Sequence, residues 1–336
     1  MILKSIVTGV AALLLAGSVH APAQAQWQPE KPLRIIVPWG AGGSTDQVVR
    51  LLAADIEDAL GQTVVVVNQP GGAGAVGTKA ALDADHDGYT WTAGAAKDLG
   101  TYGVTGAIDT HLKDWNLYLA LVNFTVMSAN PDSKFKSVED VVAAMKDDPD
   151  SVTIATGGIN SASGAAAEAL KAATGGEYKM VTYDGGNPAV MATVAGESQI
   201  TTQLISEQFE MLRAKKLTPL AAFTNEAVTL EGIGTIPSIK DAVPDAKVGP
   251  VYFGIWIPKD GTPEDVIATM DQIWDDKIAN SQKLKEYADS KGLSLNVKHG
   301  EEAYEQAFPS TQINAWQIHD GGKSKVSPDT IGIPRP

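Results

Sequence analysis

Short apolar runs alternate along this chain with stretches whose apolar positions recur at helical spacing. The first run is Leu33–Val37, followed by a helix at about Thr45–Leu60, a strand at Val64–Val67, a helix at about Ala73–Ala84 and a strand at Tyr89–Ala93. Gly61 stands where a glycine closes a helix, because it takes the left-handed conformation without steric cost. A second series opens near Ser137, with helix Val138–Lys146, strand Val152–Ala155, helix Ser163–Ala173, strand Lys179–Thr182, helix Pro188–Ala195, strand Gln199–Leu204 and a helix at about Glu207–Ala214. The last third carries strand Val251–Ile257, a helix started by Pro263, and two polar amphipathic helices, Ser281–Lys291 and Glu301–Ile318. Such alternation predicts βαβ units and parallel strand pairing. Two α/β lobes fit the order, with the chain crossing between them near Leu121–Met127 and Gly249–Phe253. No internal repeat is evident, and the Gly/Ser/Lys/Pro-rich tail after Gly321 reads as a loose extension.

The ends and the composition narrow the setting. Residues 1–25 have the form of a secretory signal: Lys4, an apolar run from Ser5 to Val19, and the small-x-small site Ala23-Gln24-Ala25 before Gln26. That run is too short to span a membrane, and no later segment approaches the length required. With no cysteine in the chain, disulfides, thiol catalysis, Cys-ligated zinc and a lipidated N-terminal cysteine are excluded. The expected product is an exported, soluble protein of about 310 residues, a size that suggests two domains. Lys4 is the one charged residue of the leader, so cleavage takes the net charge from −14 to about −15. An acidic chain without a basic run is a poor partner for nucleic acid or anionic membranes.

Three loops leave the carboxyl ends of predicted strands, where open α/β sheets bind ligands. The first is Trp39–Asp46, with Gly40, Ala41, Gly42, Gly43, Ser44 and Thr45 leading into a helix. The second, Thr156–Gly164, offers Gly157, Asn160, Ser161 and Ser163, residue types that cap helices. The third, Tyr183–Pro188, offers Asp184, Gly185 and Asn187, with Pro188 in a first helical turn. Helix starts expose unpaired N–H donors and the positive end of the dipole, and so attract anions. One such loop is commonplace; three from two lobes could face one another across a cleft.

The residues also carry a resemblance. Val37-Pro38-Trp39-Gly40-Ala41-Gly42-Gly43-Ser44-Thr45-Asp46 resembles the VPFxAGGxTD signature of the extracytoplasmic receptors of tripartite tricarboxylate transporters, the Bug family. The segment Gly61–Gly74 resembles that family's GQxVVVENRPGAGG, Asp87-Gly88-Tyr89-Thr90 its DGYT turn, and Tyr183–Ala189 its YKGxxPA. Phe253–Pro258 with Gly261-Thr262-Pro263 resembles its FGLLAPAGTP return strand. The resemblance implies a type II periplasmic-binding-protein fold, in which two α/β lobes surround a ligand cleft. With the signal at residues 1–25, the two crossings put residues 26–122 plus 253–336 in one lobe and 123–252 in the other. The resemblance further implies a periplasmic receptor that captures a small carboxylic acid and delivers it to integral-membrane permease subunits; the acid is expected to be a dicarboxylate and the receptor a monomer. By motif, the carboxylate contacts fall on Ala41, Gly42, Gly43, Ser44 and Thr45 and on Gly157, Asn160, Ser161 and Ser163, with Gly185 and Asn187 closing a third side. Asp46 is expected to orient the first loop by accepting backbone N–H bonds.

Two departures from the family pattern matter. The acids of its VDLxFDN strand align with Gln199 and Gln203, which predicts a ligand without an amino group. Its hydroxyl-rich loop after Tyr89–Ala93 becomes Gly94-Ala95-Ala96-Lys97-Asp98, and Lys97 is expected to meet a second carboxylate across the cleft or else to pair with Asp98 in solvent. Trp39 is expected either to line the ligand's apolar body or to join the core, where Trp115, Trp256, Trp274 and Trp316 are also placed.

Rival motifs fail on inspection. Gly72-Ala73-Gly74-Ala75-Val76-Gly77 matches GxGxxG, but Asn68-Gln69-Pro70 separates it from its strand and no acid ends the next one. Thr78-Lys79 is the wrong order for a P-loop. Asp83–Gly88 begins like a calcium loop, yet Gly94 stands where a glutamate is needed. Ser44 and Ser163 lack GxSxG flanks, and the histidines are scattered. No cofactor or metal is therefore expected. An exported enzyme on the same scaffold, or a sensor feeding a membrane kinase, are the alternatives.

Overall fold

The computed structural model describes residues 27–336; the leader proposed for residues 1–25 lies outside them. In chain order the elements are β1 (Leu33–Val37), α1 (Ser44–Leu60), β2 (Val64–Asn68), α2 (Ala75–Leu82), β3 (Thr90–Ala95), α3 (Ala96–Thr105), β4 (Trp115–Asn123) and β5 (Val126–Ala129). There follow α4 (Val138–Asp147), β6 (Thr153–Thr156), α5 (Ala162–Thr174), β7 (Lys179–Thr182), α6 (Gly186–Val194), β8 (Ile200–Thr201), α7 (Ile205–Arg213) and β9 (Thr218–Ala222). The last are β10 (Val228–Leu230), β11 (Gly234–Ile236), α8 (Ile239–Ala242), β12 (Val251–Pro258), α9 (Glu264–Ile273), α10 (Gln282–Lys291), β13 (Ser294–His299) and α11 (Gly300–Asp320).

Two principal sheets carry the molecule, one in the order β13-β4-β12-β3-β1-β2 and the other β7-β6-β8-β5-β9. β1 runs parallel to β2 and β3, as β6 does to β7 and β8, so each βαβ series pairs as its alternation requires. The remaining pairs are antiparallel, because the chain leaves the first sheet after β4, enters the second through β5, and comes back along β12 between β3 and β4. Both sheets are therefore mixed rather than parallel throughout. The arrangement is a two-lobed α/β fold.

Each sheet buries its apolar residues against its own helices. In the first lobe, Leu33, Ile35, Val37 and Trp91 pack on Val48, Leu52 and Ile56 of α1. In the second, Ile154 and Ile200 pack on Ala167 and Leu170 of α5. Full burial of a side chain of this size is worth about 1.5–3 kcal/mol. Trp256 and Trp274 are fully buried, and Trp115 and Trp316 nearly so; Trp274 donates to the Leu119 carbonyl at 2.6 Å. The tail is not loose: Trp316 donates to the Ile333 carbonyl at 3.0 Å, and Arg335 grips Asp320 through two bonds of 2.9 and 2.8 Å. The Arg335 guanidinium also lies 3.9 Å from the Trp316 ring centre, which fixes the tail on α11.

Candidate functional site

The starts of four helices converge where the lobes meet. α1 begins at Ser44 and α3 at Ala96 in the first lobe; α5 begins at Ala162 and α6 at Gly186 in the second. Each contributes first-turn amides without an intrahelical partner. Between them lies a cleft of about 350 Å³, lined by Trp39, Thr45, Ala95, Gly157, Ser161, Ser163, Gly185 and Gln203 among the expected residues.

The first loop is held by its own aspartate. Asp46 accepts from the Gly42 N–H at 2.8 Å and from Asn68 Nδ2 at 2.9 Å, and Arg50 pairs with it at 2.8 Å. Burial works against its charge, but Arg50, the Gly42 amide and Asn68 outweigh that and hold the carboxyl below its usual range. Across the cleft, Ser161 caps α5 by accepting from the Gly164 N–H at 3.0 Å, while its hydroxyl donates to the Gly158 carbonyl at 2.7 Å. The Ser161 and Ser163 hydroxyls are 2.9 Å apart, and Ser163 accepts from the Gly157 N–H at 3.0 Å. The Gln203 amide, in the orientation its neighbours require, donates to Ser163 Oγ and Glu207 Oε2 at 3.2 Å and accepts from the Gly157 N–H at 3.2 Å.

The lobes touch at this cleft. The Gly40 N–H donates to the Asp184 carbonyl at 3.1 Å, and Asn187 Nδ2 donates to the Gly42 carbonyl at 2.6 Å. A Cβ on Gly40 would lie 2.7 Å from that same Asp184 oxygen, so only glycine permits the approach.

Several expected residues serve as scaffold instead of lining the cleft. Ala41 is exposed, and the Gly42 amide is spent on Asp46. Gly43 is the N-cap of α1. Ser44 turns its hydroxyl to Ser206 at 2.7 Å, with Asn123 donating to it at 3.1 Å. Asn160 accepts from Thr105 Oγ1 at 3.0 Å, Ala96 is in the core, and Asp184 acts through its backbone. Lys97 does not face the cleft: it is buried on the other side of α3 and lines a separate cavity, because successive helical positions point about 100° apart. Its neighbour Asp98 faces the cleft in its place.

Two carboxyl groups of the cleft, on Asp98 and Glu207, escaped the sequence reading. Glu207, at the start of α7, accepts from the Ser44 N–H at 3.0 Å, and a Cβ on Gly186 would sit 1.8 Å from its Oε2. Burial pushes its pKa up to about 7, against the pull of the Ser44 and Leu204 backbone groups. Burial likewise raises Asp98, with Lys97 opposing. The acid missing at Gln203 thus returns one helical turn later as Glu207, so the premise for a ligand without an amino group does not hold. The signal that could have found it is position: Glu207 follows the carboxyl end of β8 at a helix start, a fourth loop of the kind already singled out.

Residues 48–297 match the tripartite tricarboxylate transporter family receptor. The chain belongs to this family. It is 25% identical over 307 residues to protein BugT of Bordetella pertussis, covering 90% of this chain and 92% of that one. The periplasmic binding protein BugD has the same fold, with a TM-score of 0.79 at 22% identity over 88% of this chain and 99% of its own. So does MatC from Rhodopseudomonas palustris with bound malate, at a TM-score of 0.76 and 20% identity over 87% of this chain and 99% of its own. The receptor therefore has the two-lobed periplasmic-binding fold. No helix among its described residues is long and apolar enough to cross a membrane.

Proposed function

We propose that this receptor is exported, loses its leader near Ala25-Gln26, and as a monomer captures one small dicarboxylic acid for the permease subunits of a tripartite tricarboxylate-type transporter. The observation that carries the reading is the convergence of the α1, α3, α5 and α6 starts, from both lobes, on one cleft bearing the Thr45, Ser161 and Ser163 hydroxyls. Thr45 Oγ1 has no protein partner among the described residues and lines the cleft, which suits it to donate to a ligand carboxylate. The malate bound to MatC, a small dicarboxylate, is consistent with that chemistry. In this reading Asp98 and Glu207, kept toward their neutral forms by burial, add O–H donors for a carboxylate acceptor. No histidine lines the cleft, and nothing there pairs a nucleophile with a base, which supports a binding role over an enzymatic one. The transport role in particular rests on the family.

The test is calorimetry and thermal shift over mono-, di- and tricarboxylates together with aspartate and glutamate. A dicarboxylate binding one per chain should raise stability by about 2.7 kcal/mol at a hundred times its Kd. Absence of binding to every acid on the panel would refute the reading. Aspartate or glutamate outcompeting every plain dicarboxylate would instead assign Asp98 and Glu207 to an ammonium group.

A further inference from the structure

Behind the cleft, on the other side of α3, lies a second cavity of about 340 Å³. Its walls come from both lobes: α3 and α11 from the first, Thr125, Phe223 and the second turn of α5 from the second, and the return segment Lys247–Gly249. Among its buried polar side chains, Lys97, Asn314 and Thr125 make no side-chain hydrogen bond among the described residues. Lys97 is only 8% exposed, yet its ammonium makes no hydrogen bond or ion pair among the described residues. Asn314, on α11, is 2% exposed, and neither its Nδ2 nor its Oδ1 has a partner. Two other polar groups of the wall are engaged: Ser310 donates to the Ala307 carbonyl at 2.8 Å and Gln317 to the Lys247 carbonyl at 3.2 Å. Lys247 stands exposed at the rim, without an ion pair among the described residues.

Buried polar groups in folded proteins are almost always satisfied, and a buried charge is usually paired. Water could complete the Asn314 amide but cannot supply a counter-charge to Lys97. Asp98 is the one carboxyl that bears on Lys97, and it faces the other cavity; burial pushes both groups toward their neutral forms, yet Lys97, lowered to about 8, still carries its charge at neutral pH. No carboxylate lines the second cavity, whereas a buried ammonium, an amide donor and a rim lysine do. That donor set, one buried ammonium and one unpartnered amide with no carboxylate beside them, selects an anion of single charge.

We propose that the cavity between α3, α5 and α11 is a second binding site, for a small monovalent anion of the formate or chloride class, held by Lys97 and Asn314. The site goes beyond the cleft's function and does not depend on which solute the cleft takes. Because its walls belong to both lobes, a bound anion joins them and favours their closed arrangement, so by linkage it tightens binding in the cleft.

The experiment follows the thermal midpoint of the mature receptor as sodium formate or sodium chloride replaces sodium gluconate at fixed ionic strength. The wild type should show a saturable rise with at least one of the two ions, and Thr45→Val, altered in the cleft, should keep it. Lys97→Met should abolish the rise and, with the uncompensated charge gone, should melt higher than wild type in gluconate alone. Asn314→Leu should weaken the apparent anion affinity at least tenfold, and it decides the matter should Lys97→Met fail to fold. No saturable rise in the wild type would overturn the proposal, leaving the cavity to water. A rise that survives in the position-97 and position-314 variants but vanishes in Thr45→Val would overturn it too, placing the ion in the cleft.

Discussion

Replacing Glu207 by Gln tests whether this carboxyl greets the ligand as a neutral donor. The structure moves its titration from 4.5 to about 7, which at about 1.4 kcal/mol per pH unit penalises the ionised form by order 3 kcal/mol. Part of the side chain is open to the cleft, and screening there reduces the figure to about 1–2 kcal/mol. A carboxylate bound nearby raises the titration further, so above pH 7 binding must bring a proton with it. Affinity for a dicarboxylate should then be flat below about pH 6 and fall toward tenfold per pH unit above 7, whereas Glu207→Gln, always neutral, should lose that step. Asp98 lines the same cleft and Lys97 adjoins it, both shifted by burial, so Asp98→Asn is measured in parallel to separate a second step. Stability follows with a definite sign. An acid whose folded pKa lies above its unfolded value stabilises the fold at low pH relative to high pH; here that contribution is lost between about pH 4.5 and 7. Ligand-free Glu207→Gln should therefore gain about 1–2 kcal/mol on wild type at pH 8, a gain that fades by pH 5. Calorimetry from pH 5.5 to 9 decides the point. An unchanged pH profile in Glu207→Gln, or wild-type affinity that rises with pH, would refute the reasoning.

The other expectations concern the walls of the same cleft. Thr45→Val should cost dicarboxylate binding about 1–3 kcal/mol without changing the melting temperature, because the hydroxyl has no protein partner to lose; calorimetry beside a melt checks both halves. Ser161→Ala should weaken binding similarly but also destabilise the fold by about 0.5–2 kcal/mol, since Ser161 caps α5 through the Gly164 N–H at 3.0 Å. Gly40→Ala puts a Cβ 2.7 Å from the Asp184 carbonyl oxygen and should prop the lobes apart. Small-angle scattering should show an expanded receptor with weakened binding and a preserved melting transition; unaltered affinity would mean that the two loops need not meet.

Much of the fold was legible because the inner strands of the βαβ series, β1, β3 and β6, are largely buried, which leaves continuous apolar runs. The elements that escaped had contrary local signals. α3 carries Gly100 and Gly103, poor helix formers, and the reason appears only in three dimensions. A Cβ at Gly100 would lie 1.8 Å from Thr311 of α11, and one at Gly103 would lie 2.8 Å from His111. Close packing between elements, not local propensity, chose those residues. The expected crossing at Leu121–Met127 overlaps only the end of β4 and the start of β5, and most of β4 escapes the pattern, since nothing local marks Phe124 and Thr125, at which the chain changes sheets. By composition the tail reads as loose, yet the Trp316 bond to the Ile333 carbonyl and the Arg335–Asp320 pair stacked on Trp316 tie it down.

The candidate site was legible where backbone does the work and obscure where charge does. Helix starts announce themselves through Gly, Ser and Asn, so the three loops could be found by spacing. Which of two adjacent side chains faces a cleft cannot be read that way, and Lys97 and Asp98 exchanged places accordingly. The consequence is larger than one residue, because a lysine in the cleft would have supplied the counter-charge for a second carboxylate. The structure puts two acids there instead, and one of them already sits on the donor end of α1 through the Ser44 N–H. An incoming carboxylate therefore does not meet bare helix dipoles: it shares them with Glu207. Such sharing is tolerable only while Glu207 holds its proton, which a polar side chain in open water would not do at neutral pH but a buried one does. Lobe closure, by excluding water from Glu207, is then part of what makes the cleft receptive to an anion, and the tie between closure and affinity lies in one carboxyl group.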